Sequence, residues 1–200
     1  LKKFYNSVMV RSDLIIAGSN FIFTHINENY SIYMNKNQKL LTIFRGINLE
    51  YFNSAAIKNN AELKLIDEWK IDKTLSFYKK KIILFPGRLT YWKGHEVFIE
   101  ALNIFKQKNP DKLFFVIILG SDQGRKIYKK KLQRLVEQYR LINDILFINN
   151  CKNMPIAYKI ANIVINSSIE PEAFGRVAVE AQAMEKVIIA SNIGGSNETI

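Results

Sequence analysis

From Lys81 onward, short apolar runs alternate with amphipathic stretches of helical length, and this alternation is the tightest constraint on the fold. Residues 82–85, 113–119, Ile145–Ile148, 162–165 and Val187–Ala190 read as strands. Between them, residues 94–108 carry Val97, Phe98, Ala101, Leu102 and Phe105 on one face, and residues 125–140, Met154–Ile160 and 177–184 also read as helices. Strands separated by helices of this length are too far apart for hairpins, so they imply parallel βαβ units and a doubly wound α/β sheet. Earlier in the chain, residues 13–17 predict a short buried strand. Ser19-Asn20 then caps a helix through Phe21, Ile22, His25 and Ile26. Residues 40–44 predict another strand, closed by Arg45-Gly46-Ile47-Asn48. Residues 51–80 are polar, with a helical pattern over 55–69, and read as a linker and lead-in to a second domain.

The 200 residues suffice for one good core, or for one domain with part of another. No apolar run reaches the roughly 18 residues of a membrane span, and no apolar h-region follows the opening Leu-Lys-Lys-Phe-Tyr-Asn, so no signal peptide is expected. The single cysteine, Cys151, has no partner for an internal disulfide, which suits a reducing cytoplasm. The net charge of +11 fits nucleic acid, an anionic membrane surface or phosphorylated substrates. A lysine-, isoleucine- and asparagine-rich composition also raises charge without any partner. With no helix-turn-helix pattern, zinc spacing or aromatic RNA-binding signature, nucleic acid is not expected. Weak attraction to a membrane surface remains.

Two loops carry the chemistry. The first follows Asn166-Ser167-Ser168 and runs Glu170-Pro171-Glu172-Ala173-Phe174-Gly175-Arg176-Val177-Ala178-Val179-Glu180. In an open α/β sheet, ligands bind outside the carboxyl ends of the strands, where this loop falls. A helix starting near Arg176 would aim the backbone N–H groups of Phe174 to Val177 into that crevice, a setting that favours phosphate. Gly175 admits a ligand close to the backbone. Glu180, about one turn into the helix, can accept hydrogen bonds from hydroxyls attached to that phosphate. On spacing alone, Glu172 and Glu180 read equally well as solvated acids at a helix start.

The second loop, Gly87-Arg88-Leu89-Thr90-Tyr91-Trp92-Lys93-Gly94, also leaves a strand's carboxyl end. Arg88 and Lys93 on their own would be ordinary surface cations. Beside a phosphate-ready helix they suit a diphosphate, one by bidentate hydrogen bonds and the other as a point charge. Trp92 and His95 read as packing or capping residues. His25 reads as exposed or capping, since no partner sits at metal-ligand spacing.

Glu172 and Glu180, in the setting Pro-Glu-Ala-Phe-Gly-Arg-Val-Ala-Val-Glu-Ala and followed by Gly194-Gly195 and Glu198, resemble the paired-glutamate motif of the family 4 retaining glycosyltransferases with the GT-B fold, the group 1 type. The loop from Gly87 to Gly94 resembles that family's Gly-Arg-Leu-x-x-x-Lys-Gly motif. The resemblance implies two Rossmann-like domains. Residues 1–50 would end the N-terminal, acceptor-side domain, 51–80 lead on, and 81–200 form a truncated C-terminal nucleotide-sugar-binding domain. It also implies transfer of a sugar, of the hexosyltransferase type, from a nucleotide diphosphate sugar to an acceptor hydroxyl with retention, with no metal or other cofactor. Gly87, Arg88, Lys93 and the backbone of Phe174, Gly175, Arg176 and Val177 would hold the donor. Glu180 would hold the ribose hydroxyls. Glu172 would contact the donor sugar, and with Arg88 and Lys93 would fill the catalytic role.

The implied acceptor is a glycan or lipid-linked molecule in cell-envelope polysaccharide or lipopolysaccharide synthesis. The expected location is the cytoplasm, with peripheral contact at an anionic membrane face. Asn48 for Asp, Ser121, Asn149-Asn150 and Glu185 depart from the family pattern. Two other readings stand beside this one. A glycoside hydrolase could use Glu172 and Glu180 as a carboxylate pair roughly 5 to 10 Å apart. A truncated remnant would at most bind nucleotide. The short chain, with little of the acceptor side, is expected not to transfer sugar alone.

Overall fold

The computed structural model of the chain describes residues 5–58, 60–72 and 79–200. Residues 1–4, 59 and 73–78 lie outside the described residues, and with them the opening Leu-Lys-Lys-Phe and part of the 51–80 lead-in.

The first unit is a parallel pair, β1 (Leu14–Ala17) and β2 (Lys39–Thr42), joined through α1 (Asn20–Tyr30). Ser19 caps α1 as its sequence position predicts, its side chain accepting a hydrogen bond from the Ile22 N–H. Ile22, Ile26 and Tyr30 of α1 pack against Val10 and Ile15 in a small core. That core covers only one face of β1. Ile15 and Ala17 are buried, but Leu14 and Ile16 are 48% and 55% exposed. The strand expected to be buried is therefore half-buried, because a two-stranded sheet with one helix has nothing to cover its other face.

The second unit is built on a five-stranded parallel sheet. Its strands are β3 (Lys81–Pro86), β4 (Phe114–Leu119), β5 (Ile145–Ile148), β6 (Ile163–Asn166) and β7 (Val187–Ala190), in the order β5-β4-β3-β6-β7. The helices α2 (Ala61–Glu68), α3 (His95–Lys108), α4 (Lys126–Gln138), α5 (Met154–Ile160) and α6 (Arg176–Ala183) complete it. Side chains alternate across β4. Ile117 and Leu119 enter one core with Leu84, Val164, Tyr158, Ala181 and Met184. Val116 and Ile118 enter another with Phe85, Ile99, Leu102, Leu132 and Leu141. This two-sided burial is why the strands read as continuous apolar runs.

The lead-in contributes to the first of these cores: Phe52, Leu65, Ile66, Trp69 and Ile71 all pack there. The helix expected over 55–69 is shorter than its pattern. A 3-10 turn, Ser54–Ala56, is capped by the Asn53 side chain, Asn60 takes the left-handed conformation at φ 67°, and α2 begins only at Ala61. Asparagine competes with helix by bonding its own backbone and tolerates the left-handed region, so the apolar periodicity is interrupted there.

Helix ends show a second departure from ideal chemistry. Lys70, Arg140 and Glu185 follow α2, α4 and α6 with φ of 54°, 56° and 58°. After α6, Glu185 N–H bonds Gln182 O at 2.9 Å and Lys186 N–H bonds Ala181 O at 2.9 Å, which is a Schellman ending made without glycine. Glu185, one of the departures from the family pattern, thus sits at a left-handed helix ending.

Candidate active site

Successive strands turn away from β3 in opposite directions, β4 on one side and β6 on the other, so the topological switch point lies between β3 and β6. Pairing there is confined to Ile83 and Leu84 against Ile163 and Val164. Beyond it the carboxyl ends of the two strands carry the two chemically dense loops, which meet over the crevice where an open α/β sheet binds ligands.

Backbone contacts lock those loops together. Gly94 sits at φ 73°, and a Cβ there would lie 1.9 Å from Ser167 O, so only glycine permits the approach. Ser167 Oγ donates to Gly94 O at 3.1 Å, and Ile169 N–H donates to Trp92 O at 2.8 Å. A Cβ on Gly120 would lie 1.9 Å from Gly87 O, and Leu89 N–H donates to Ser121 O at 3.0 Å. Gly120 therefore serves close packing of its loop against the Gly87 loop.

The consequence is a buried charge pair. Lys93 Nζ donates to Glu172 Oε1 at 2.7 Å, and the two side chains are 9% and 10% exposed. Ser168 Oγ donates to the same carboxylate oxygen at 2.5 Å and lies 3.1 Å from the Asn166 amide. A hydroxyl has one proton. Its contacts with Glu172 Oε1 and Asn166 Oδ1 are therefore alternatives for that one proton. Burial pushes the Glu172 carboxyl up, but the Lys93 charge and the hydrogen bonds from Lys93, Ser168 and Asn166 outweigh it and hold it below the ordinary range.

One turn into α6, Glu180 is 7% exposed and both of its oxygens are engaged. Tyr158 Oη donates to Oε2 at 2.7 Å and Arg176 Nε donates to Oε1 at 2.6 Å. Gly175 caps the helix at φ 83°, and the backbone N–H groups of Phe174, Gly175, Arg176 and Val177 donate to no group among the described residues. They and the helix dipole provide the anion-favouring end expected from the sequence.

Arg88 is exposed, its guanidinium 5.8 Å from the Trp92 ring, while Lys93 Nζ lies 4.6 Å from the same ring. Trp92 is therefore a cation-π partner of both loop cations, beyond the packing role expected of it. His95 does pack. It is fully buried and stacks on Phe85 with ring centroids 4.3 Å apart, and burial lowers its pKa to about 4. His25 is exposed on α1, as expected. No group of three or more His, Cys, Asp or Glu residues among those described could hold a metal ion, and no described helix is long and apolar enough to cross a membrane.

The first unit touches this site directly. Ser19 Oγ donates to Ala173 O at 2.5 Å, and the Glu198 carboxylate accepts from the N–H groups of Asn20 and Phe21 at 2.8 and 2.6 Å. Glu172 also bridges Gly194, and Gly195 N–H donates to Glu172 O at 2.7 Å. Gly194-Gly195 thus carries Glu198 from the donor-side loop to the start of α1. Sequence reasoning placed Gly87, Arg88, Lys93, Glu172, Phe174–Val177 and Glu180 at one crevice. It missed the Lys93–Glu172 pair, the Asn166 and Ser168 support, Tyr158, and the reach of Glu198. The Asn-Ser-Ser run closing β6 was the only local signal for any of these.

A parallel two-core sheet with two glycine-bearing loops at its switch point defines a Rossmann-like domain of the GT-B type. The sequence profile described as "Glycosyl transferases group 1" matches residues 67–200, and the chain belongs to that family. Among solved structures, it resembles a glycosyltransferase from Rickettsia africae ESF-5, with 36% identity and a TM-score of 0.83, covering 100% of this chain and 49% of that one. Anabaena Alr3699/HepE, crystallised with UDP and glucose, shares the fold at 23% identity and a TM-score of 0.80, over 100% of this chain and 51% of that one. An uncharacterised glycosyltransferase of Methanocaldococcus jannaschii is 30% identical over 88% of this chain and 47% of its own length. The D-inositol 3-phosphate glycosyltransferase of Paenarthrobacter aurescens (strain TC1) is 34% identical over 59% of this chain and 29% of its own. The chain thus spans about half or less of the length of these relatives.

Proposed function

We propose that this chain carries the donor half-site of a retaining glycosyltransferase and binds a nucleotide diphosphate sugar across the β3–β6 crevice. The observation that carries the reading is the Lys93–Glu172 contact that joins the two loops, with Arg88 sharing the Trp92 ring with Lys93 on one loop and the free amides of Phe174 to Val177 following Glu172 on the other. Arg88, Lys93 and those amides would stabilise the charge that develops on the leaving diphosphate, an electrostatic role of the oxyanion-hole type. Gly87 lies beside Lys93, where a Cβ would make only ordinary contact with Lys93 Cδ at 3.7 Å. Glu180 would accept from the ribose hydroxyls. Glu172 would contact the hydroxyls of the donor sugar and place it on the departing phosphate. No cofactor enters this scheme. The fold shared with a protein crystallised with UDP and glucose supports a nucleotide-bound donor.

A glycoside hydrolase would need its two carboxyls free to flank one glycosidic bond. Here Glu172 is held by Lys93 and Ser168 and Glu180 by Tyr158 and Arg176, with the Arg88/Lys93 loop alongside, which favours the transferase reading. We further place residues 1–50 on the acceptor side, 51–80 as lead-in and 81–200 as the donor domain, a division supported by the separate sheets β1-β2 and β5-β4-β3-β6-β7. The acceptor is a glycan or lipid-linked hydroxyl of cell-envelope polysaccharide or lipopolysaccharide, met in the cytoplasm at an anionic membrane face. The charge of +11 and the exposed Lys126 and Lys130 on α4 support that location.

Calorimetric titration with UDP, GDP and ADP tests the donor reading. One nucleotide should bind, and Arg88→Ala and Glu180→Ala should each weaken it by about tenfold or more. A folded chain that binds none of the three contradicts it.

A further inference from the structure

Tyr158 is fully buried in an otherwise aliphatic and aromatic core, packed edge-on against Phe52 at 6.1 Å between ring centroids. Phenylalanine would fill that volume as well. The tyrosine brings one polar atom into the core, and its hydroxyl donates to Glu180 Oε2 at 2.7 Å. A buried phenol needs a partner, and a buried carboxylate needs donors. Each therefore satisfies the other, across α5 and α6.

The two oxygens of Glu180 are held differently. Oε2 is held from inside, by a residue with no exposure. Oε1 is held from outside, by Arg176, whose side chain is 69% exposed. The inner contact is shielded from solvent. The outer one is a solvent-screened surface pair that a ligand can displace. Burial and the adjacent Glu180 charge push the Tyr158 phenol well above its ordinary range, so it stays a donor at any working pH.

Resting on the donor-site reading above, we propose that Tyr158 is a positioning residue: from the core it fixes the Glu180 carboxylate in the orientation that accepts a vicinal diol at Oε1, in the place Arg176 occupies in the free protein. Tyr158 touches no ligand. It acts by removing the rotational freedom of the carboxylate, so that the acceptor is in place before the nucleotide arrives. Arg176 then has two roles: its backbone amide faces the phosphate, and its side chain stands in for the ribose hydroxyls until they displace it.

The test compares binding of the ribonucleoside diphosphate with that of its 2′,3′-dideoxy analogue by calorimetry, using UDP, GDP and ADP and their dideoxy forms. Wild type should favour the ribose form by about tenfold or more, the worth of hydrogen bonds to a charged acceptor. Tyr158→Phe keeps the ring and its contact with Phe52. It should reduce that preference to about twofold while leaving dideoxy affinity near the wild-type value. The preference is a ratio within one sample, so a smaller folded fraction does not distort it. As a second measurement, wild-type protein with labelled tyrosine rings should show the Tyr158 resonance moving with the ribose nucleotide and not with the dideoxy form. A Tyr158→Phe protein that keeps the full ribose preference, or a Tyr158 resonance that ignores the ribose, overturns the positioning role and leaves the donor site standing. A wild type that binds the diphosphate without preferring ribose removes Glu180 from the diol, and the proposal falls with it. A wild type that binds no nucleotide refutes the donor reading itself.

Discussion

Lys93 Nζ sits 2.7 Å from Glu172 Oε1, and neither side chain is more than 10% exposed, so each is the other's principal counter-charge. Removing one partner strands a buried charge, whereas replacing both with apolar groups does not. Lys93→Ala or Glu172→Ala should each cost about 3 to 5 kcal/mol in urea denaturation. Lys93→Met/Glu172→Leu should cost well under the sum of the two. Additive single and double mutants would show that the pair carries no coupling.

His95 supplies a pH dependence with a definite sign. Its folded pKa of about 4 lies below the ordinary 6.5, so the unfolded chain binds the proton more readily over that window. Stability should therefore be complete above pH 6.5 and fall as pH drops from 6.5 towards 4, by up to about 3 kcal/mol from this group. His95→Phe should flatten the denaturation midpoint across that window. Glu172 acts lower. Its depressed pKa contributes stability that is present above the ordinary carboxylate range and lost as pH falls through the folded value.

Glu185 holds a left-handed φ of 58° that glycine adopts without penalty. Glu185→Gly should raise stability by about 0.5 to 1 kcal/mol, because relief of Cβ strain exceeds the added entropy of the unfolded chain. Thermal unfolding checks this. A lower melting temperature would mean that the Glu185 side chain contributes more than its backbone costs.

Glu198 caps α1 from 177 residues away, through the amides of Asn20 and Phe21. Glu198→Ala should cost about 1 to 2 kcal/mol and speed hydrogen exchange at those two amides. Ser19→Ala, which removes the bond to Ala173 O as well as the local cap, should act at the same helix end. The two losses are expected to be non-additive, because both hold one helix end against one loop.

These contacts show what could be read from the chain and what could not. The strands could, because two-sided burial leaves uninterrupted apolar runs such as Phe114–Leu119. That the loops bearing Arg88, Lys93, Glu172 and Glu180 leave neighbouring strand ends could be read too, because each follows an apolar run directly, while their proposed roles came from the resemblance of the two loops to a family's motifs. The partner of each polar group could not. Tyr158 looks like any aromatic in an apolar helix until α6 brings Glu180 to its hydroxyl, 22 residues on. Glu198 looks like a surface acid until the fold returns it to α1. The helical pattern over 55–69 failed for a local reason, since Asn53 and Asn60 each offered the backbone an alternative to helix.

The central claim is that Arg88, Lys93 and the α6 amides form a diphosphate site, and the most direct test is the affinity difference between a nucleoside diphosphate and its monophosphate. Wild type should prefer the diphosphate by about tenfold or more, as a bidentate guanidinium and a helix N-terminus together imply, and Arg88→Ala should remove most of that preference. Equal affinity for the two nucleotides, or a preference untouched by Arg88→Ala, would contradict the account.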